Sequence, residues 1–219
     1  RNIREKLAPY ALTEKKELCL WPGKLLDESH RHPSQLMAIH PAMDLTIEGD
    51  EQARAIITAS INHFLGLGQY QWAGHTYAQM ISMAAVLGCP GWAYESLRQF
   101  MEHWTMSNGL HVNSDWRATG ASAFAPLLGQ NQGRARARTP FTMEANNAVS
   151  AGIGDMLAQG WGGKLRIFPA VPLQWRDTAY FDLQAEGGWK VSAIRRRGQT
   201  AWVRVTAGVD GQLALADPF

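Results

Sequence analysis

The residues with the clearest chemical promise are in Pro140-Phe141-Thr142-Met143-Glu144-Ala145-Asn146-Asn147. One carboxylate sits there between apolar residues and two amides. Val149, Ile153, Met156 and Leu157 follow at helical spacing. Glu144 is therefore expected in a loop or in the first turn of a helix, where the positive end of the helix favours its ionised form. Asn146 and Asn147 could hold a water or a hydroxyl beside it. That is the chemistry of a general base that activates water. A plain capping glutamate satisfies the same local pattern.

A second group of candidates is histidine-rich. His30-x-His32 is predicted on a polar loop, with His40 and His75 elsewhere. A metal would need a third ligand to close the site. None is spaced nearby, so we expect no metal and no cofactor. Hydrogen bonding to substrate hydroxyls suits His30 and His32 better. Trp72 and His75 flank a helix start, where side chains can point into a cleft. Asn113, Asp115 and Trp116 share another loop. Ser34 near His32 lacks a nucleophile elbow, so serine chemistry is not supported.

The elements that must position these residues read as helices first and strands afterwards. Residues 1–20 read as the end of a helix, a break at Pro9 and a polar connection. A short helix over Leu36, Met37 and Ile39 stops at Pro41. Asp50 caps an amphipathic helix whose inward positions are Ala53, Ile56, Ile57, Ile61, Phe64 and Leu65. A further helix follows Trp72 with Tyr77, Met80, Ile81, Ala84 and Leu87 inward, and Gly88 and Pro90 stop it. The next runs from about Trp92 to Trp104, with a stripe of Leu97, Phe100, Met101 and Trp104. Residues 107–139 read as irregular, and 129–138 as a basic, solvated loop. After a helix at about 147–159, alternation replaces the helical period. Lys164–Phe168, Tyr180–Gln184, Trp189–Arg195, Thr200–Thr206 and Gln212–Leu215 read as strands, with turns at Gly187-Gly188 and Gly198-Gln199. The predicted division is a helical region at 1–160 and a small antiparallel β domain at 161–219, making the chain mainly α.

Composition narrows the classes. The 219 residues carry a formal charge of only +2. No global field therefore points to nucleic acid or to a membrane surface, and neither is expected as a partner. No stretch is long and apolar enough to span a bilayer. Nine Trp and seven His are a heavy load for this length and suit a cleft that binds sugars, although Trp also fills cores. Cys19 and Cys89 do not make a disulfide framework. The chain opens at Arg1 inside a charged segment, and we expect a fragment or a processed chain.

Five stretches, in order, resemble glycoside hydrolase family 95, the α-L-fucosidase family. They are His30-Arg31-His32-Pro33-Ser34-Gln35-Leu36; Gly68-Gln69-Tyr70-Gln71-Trp72-Ala73; Pro140 to Asn146; Ala151-Gly152-Ile153-Gly154-Asp155-Met156-Leu157-Ala158-Gln159; and Leu165 to Pro172 with Trp175, followed by Glu186-Gly187-Gly188-Trp189. The resemblance implies an (α/α)6 toroid of helical hairpins with β domains, of which this chain would hold about half the barrel and the C-terminal β part. It implies inverting hydrolysis of α-L-fucoside-like linkages (L-fucose or L-galactose) in oligo- or polysaccharides, with Glu144 as base by position. His30 and His32 would bind sugar hydroxyls, with Trp72 and His75 on the cleft wall. Asn146, Asp115 and Trp116 would complete the binding set, and Asp115 is the in-chain stand-in for the general acid. The family has Asp where Glu144 stands and His where Gln35 stands, and its general acid lies upstream of the histidine loop. The expected partner is therefore a missing N-terminal barrel half or a second copy of the chain, and the expected location is periplasmic or secreted. Two alternatives stay open: a sugar-binding barrel without turnover, and a toroid-type polysaccharide lyase using arginines and Asn113.

Overall fold

A computed structural model describes residues 7–117, 119–122, 141–208 and 210–219. The helix end expected at the very start of the chain and the basic loop at 129–138 lie outside the described residues. The described chain forms two compact units, one ending at Tyr70 and the other starting at Gln71.

In the first unit, α1 (Glu51–Gly66) begins where Asp50 accepts the amide hydrogen of Ala53 at 2.7 Å, which satisfies one of the orphan donors of a helix start. Ile56, Ile57, Ile61 and Phe64 are buried along one face, together with Ser60. Leu65, expected inward, is 37% exposed, because the buried stripe follows the i, i+3, i+4 rows and Leu65 lies beyond their edge. The irregular segment before α1 is tied to it by polar contacts. The amide of Leu18 donates to Ser60 Oγ at 2.9 Å, and His63 Nε2 donates to the carbonyl of Leu26 at 2.6 Å. The short helix after the histidine loop is a 3-10 turn, Ser34–Ala38.

In the second unit, α2 (Gly74–Val86) packs between α3 (Pro90–His103) and α4 (Met143–Leu157). Its buried positions run all round the helix and include Ala78, Met80, Ile81, Met83, Ala84 and Ala85. A helix apolar on every side is a central one, and a single inward stripe understates it. Helix α4 reaches α2 closely at Gly152, where an added Cβ would lie 2.7 Å from Cγ2 of Ile81. On α3 the buried positions are Ala93, Ser96 and Phe100, continued by Trp104. Met101, predicted in that stripe, is 50% exposed.

After α4 come β1 (Ala158–Gln159), β2 (Lys164–Ile167), β3 (Thr178–Ala185), β4 (Trp189–Arg196), β5 (Gln199–Ala207) and β6 (Ala214–Leu215). Strands β3, β4 and β5 form an antiparallel meander, and β1, β2 and β6 a second small sheet. Strand β2 ends at Ile167 because Phe168 takes φ 51° and Pro169 follows. The predicted antiparallel domain needs one correction, since β6 pairs with β2 in parallel. The chain passes through the whole meander before it returns, and such a long crossover permits a parallel pair. Leu165, Ile167, Phe168, Val171, Tyr180, Val191 and Ala193 form the core of this part.

Candidate active site

Glu144 is the second residue of α4 and is exposed. The residue that precedes the helix, Thr142, makes no side-chain cap to it. The reason lies in a loop far back in the chain. His111 Nδ1 is 2.6 Å from the Thr142 hydroxyl and 3.2 Å from the Thr142 carbonyl, to which it donates. The hydroxyl that would cap α4 is turned to the imidazole instead.

Asn146 completes the clamp. Its amide oxygen accepts the His111 backbone N–H at 2.9 Å, and its amide nitrogen donates to the carbonyl of Gly109 at 2.9 Å. The amide of Thr142 donates to the carbonyl of His111 at 3.3 Å, and Val112 bridges Phe141. Residues 109–112 and 141–146 are thus stitched together on both sides of Glu144. Asn146 is expected to hold a substrate hydroxyl or water; its two bonds to the 109–111 loop fix the side chain and leave one lone pair and one amide proton for that. Asn147 is exposed.

His111 is 0% exposed, stacked on Phe100 at 5.4 Å with planes 14° apart. Its Nε2 has no hydrogen-bond partner among the described residues and faces Gly74, the first residue of α2. Burial holds the imidazoles of both His75 and His111 below the usual histidine value, while the charge of Glu144 pulls each of them partly back up. His111 also receives an upward push from its Thr142 bond and a downward one from His75. Two neutral imidazoles and a carboxylate therefore share one neighbourhood at the N-termini of α2 and α4.

This pairing fixes a pH dependence. A histidine whose folded value lies below its unfolded value of about 6.5 binds fewer protons when folded. Its contribution to stability is complete above that pH and is lost as pH falls toward the folded value. We expect the denaturant midpoint to drop between pH 7.5 and 5.5, and His111→Gln to flatten that drop. A midpoint that is level or rises on acidification contradicts the assignment.

The other predicted residues divide. His75 is half-buried and belongs to this neighbourhood. Trp72 is 1% exposed, its ring edge-on to Tyr77 at 5.3 Å. It is a core side chain here and does not form a cleft wall. Asp115 is also enclosed, at 0% exposed. Its Oδ2 accepts from the Thr119 hydroxyl at 2.9 Å and from the amide of Ala121 at 3.1 Å. Burial, with the charges of Asp115 and Glu95 added, pushes the Tyr77 hydroxyl up to about 12. A carboxylate with no solvent path cannot touch a sugar or protonate a leaving group, so Asp115 is corrected on both counts. Trp116 is half-buried under the guanidinium of Arg117, 4.8 Å from the ring centre. His30 and His32 belong to the first unit. The backbone N–H of His32 donates to His30 Nδ1 at 3.1 Å, and Arg31 Nε donates to His32 Nε2 at 3.2 Å. The rings lie 5.6 Å apart. Among the described residues, no three His, Cys, Asp or Glu gather into a metal-holding group.

The sequence reading gave no role of their own to His111, Thr142 or Gly74. His111 and Thr142 lie 31 residues apart in sequence, and no local pattern announces such a contact.

The profile of the glycosyl hydrolase family 95 catalytic domain matches residues 1–157. The chain belongs to glycosyl hydrolase family 95. The match ends at Leu157, the last residue of α4, so both Glu144 and its clamp fall within family 95 catalytic-domain sequence. No curated protein matches the chain. Membership makes a carbohydrate the expected ligand class. No helix among the described residues is long and apolar enough to cross a membrane.

Proposed function

We propose that this chain carries the base side of an inverting glycosidase that hydrolyses α-L-fucoside-like linkages, to L-fucose or L-galactose, within a toroid of helical hairpins. The observation that carries the reading is the placement of Glu144: exposed, on the first turn of α4, between Thr142 and Asn146, which His111 holds on either side, with its charge felt by the imidazoles of His75 and His111. A water held by that carboxylate loses its proton to Glu144 as its oxygen attacks the anomeric carbon. A carboxylic acid about 6.5–9.5 Å away protonates the departing glycosidic oxygen on the other face. With Asp115 buried, that acid comes from residues outside this sequence or from another polypeptide. Phe141 and Met143, both exposed beside Glu144, suit the wall of a cleft that further chain completes. His75 lines the base side.

The test is to follow hydrolysis of an α-L-fucosyl oligosaccharide by proton NMR, with native and denatured masses measured on the same sample. β-L-Fucose as the first product supports inversion. The α-anomer appearing first would make Glu144 a nucleophile and sink the proposal. The burial of Asp115 favours a second reading, sugar binding without turnover. A lone 219-residue chain that binds fucosylated glycan and releases no sugar decides for it.

A further inference from the structure

On the β part of the second unit a groove of about 270 Å³ lies apart from the residues around Glu144. Trp189 opens β4 and lines the groove, half-buried. Its register partners are Ala185 on β3 and Ala207 on β5. Cross-strand partners share a sheet face, so the neighbours on both sides of the indole are single methyl groups. The loops that frame it carry no side chain at the close points. An added Cβ on Gly187, which has φ 83°, would lie 2.9 Å from Trp189 Nε1, and one on Gly211 would lie 3.8 Å from ring atom Cζ2. Part of the indole thus stays open to the groove between the two glycine backbones.

Three polar side chains rim that ring: Glu186, Asp210 and Gln212. All three are exposed, and none has a hydrogen-bond partner among the described residues. Two carboxylates and an amide offer mainly acceptors, so the ligand must bring donors. An indole face takes a flat apolar surface. A neutral sugar ring supplies both, with C–H bonds on one face and hydroxyls round the edge. The two carboxylates repel uronates and sulfated sugars. An organic cation is the competing ligand, but cation cages surround the charge with several rings, and among the described residues one ring, that of Trp189, lines this groove. The volume lies just below the range of about 300–1,000 Å³ for sites that enclose a larger organic ligand, which fits one residue of a longer glycan lying across an open groove.

We propose that the groove at Trp189 is an accessory binding site for neutral glycans, separate from Glu144 and independent of its role. It would hold a polysaccharide chain by an internal or terminal neutral residue.

The whole chain is run in native gels containing galactomannan, arabinan or laminarin, and in parallel gels containing polygalacturonate. Retardation by at least one neutral polysaccharide and not by polygalacturonate is expected. Trp189→Ala should weaken it by about tenfold or more, the loss of one stacking contact with its buried area. Gly211→Leu should do the same, because its Cβ fits at an ordinary distance and the remaining side chain crosses the ring. This second variant decides the matter should Trp189→Ala unfold. Each mobility is read relative to the same protein in a gel without polysaccharide; relative retardation kept by Glu144→Gln, which is dead for the proposed hydrolysis, and lost by Trp189→Ala tells failure at the groove from failure of the proposed hydrolysis. The inference is overturned by an absence of retardation in all three neutral gels, by unchanged retardation of folded Trp189→Ala or Gly211→Leu, by stronger binding to polygalacturonate, or by competition from choline.

Discussion

Glu144→Gln is expected to reduce kcat on an α-L-fucosyl substrate by about a thousandfold while leaving Kd for the substrate within about threefold. Glutamine keeps the shape of the side chain and its place on α4, but cannot take a proton from water. A thousandfold loss corresponds to roughly 4 kcal/mol of transition-state stabilisation. Stability should hardly move, because an exposed charge at a helix start contributes only about 0.3–1 kcal/mol. A readout independent of turnover accompanies the change. The charge of Glu144 raises the pKa of both His75 and His111 against the effect of burial. Removing that charge should lower both titration midpoints, as followed by NMR of the ring protons. A fall in kcat of less than tenfold would refute Glu144 as base. Unchanged histidine titrations would refute the shared neighbourhood.

Gly74→Ala should be strongly damaging in the second unit. Replacing glycine by alanine inside a helix ordinarily stabilises by about 0.5–1 kcal/mol. Here the sign reverses. The new methyl group would lie 2.5 Å from Cδ2 of His111 and 2.8 Å from Cβ of Trp104, and closer still to His111 Nε2. Neither neighbour can give way. Both are 0% exposed, His111 is stacked on Phe100 and bonded to Thr142, and Trp104 packs beside Tyr77. Overpacking of this kind costs about 1–3 kcal/mol or more, which exceeds the propensity gain. We expect a Tm lower by roughly 4–10 °C for a chain of this size. Any relief that moves His111 also moves Thr142 and Asn146, so kcat should fall with it. Gly154→Ala on α4 is the control, since a Cβ there meets nothing within 4 Å, and it should raise Tm slightly. A Gly74→Ala protein as stable as the parent would show that His111 is not held as described.

Helices and strands are local matters, and local patterns expose them. The spacing of Ile56, Ile57, Ile61 and Phe64 makes α1, and Asp50 starts it with a side-chain cap. Alternation and paired turn residues make the meander of β3, β4 and β5, with φ 83° and 79° at Gly187 and Gly188. The apolar run after Asn147 places Glu144 at a helix start before any coordinate is known. The ordered series of His30-x-His32, Trp72, Glu144 and the glycine-rich return points to the family that the profile match establishes.

Only the tertiary structure decides which polar groups meet solvent. Trp72 and Asp115 have residue types that suit a cleft, but neighbours distant in sequence enclose both. Periodicity gives α2 one inward face, and packing between α3 and α4 buries the rest. The two bonds that anchor Asn146 to the 109–111 loop are likewise invisible in the sequence. His111 carries no local signal because its role depends on contacts across more than thirty residues of chain. Side-chain period and turn chemistry are set by near neighbours. Burial and hydrogen-bond partners are set by whichever segments the fold brings together, and that information is spread over the whole chain.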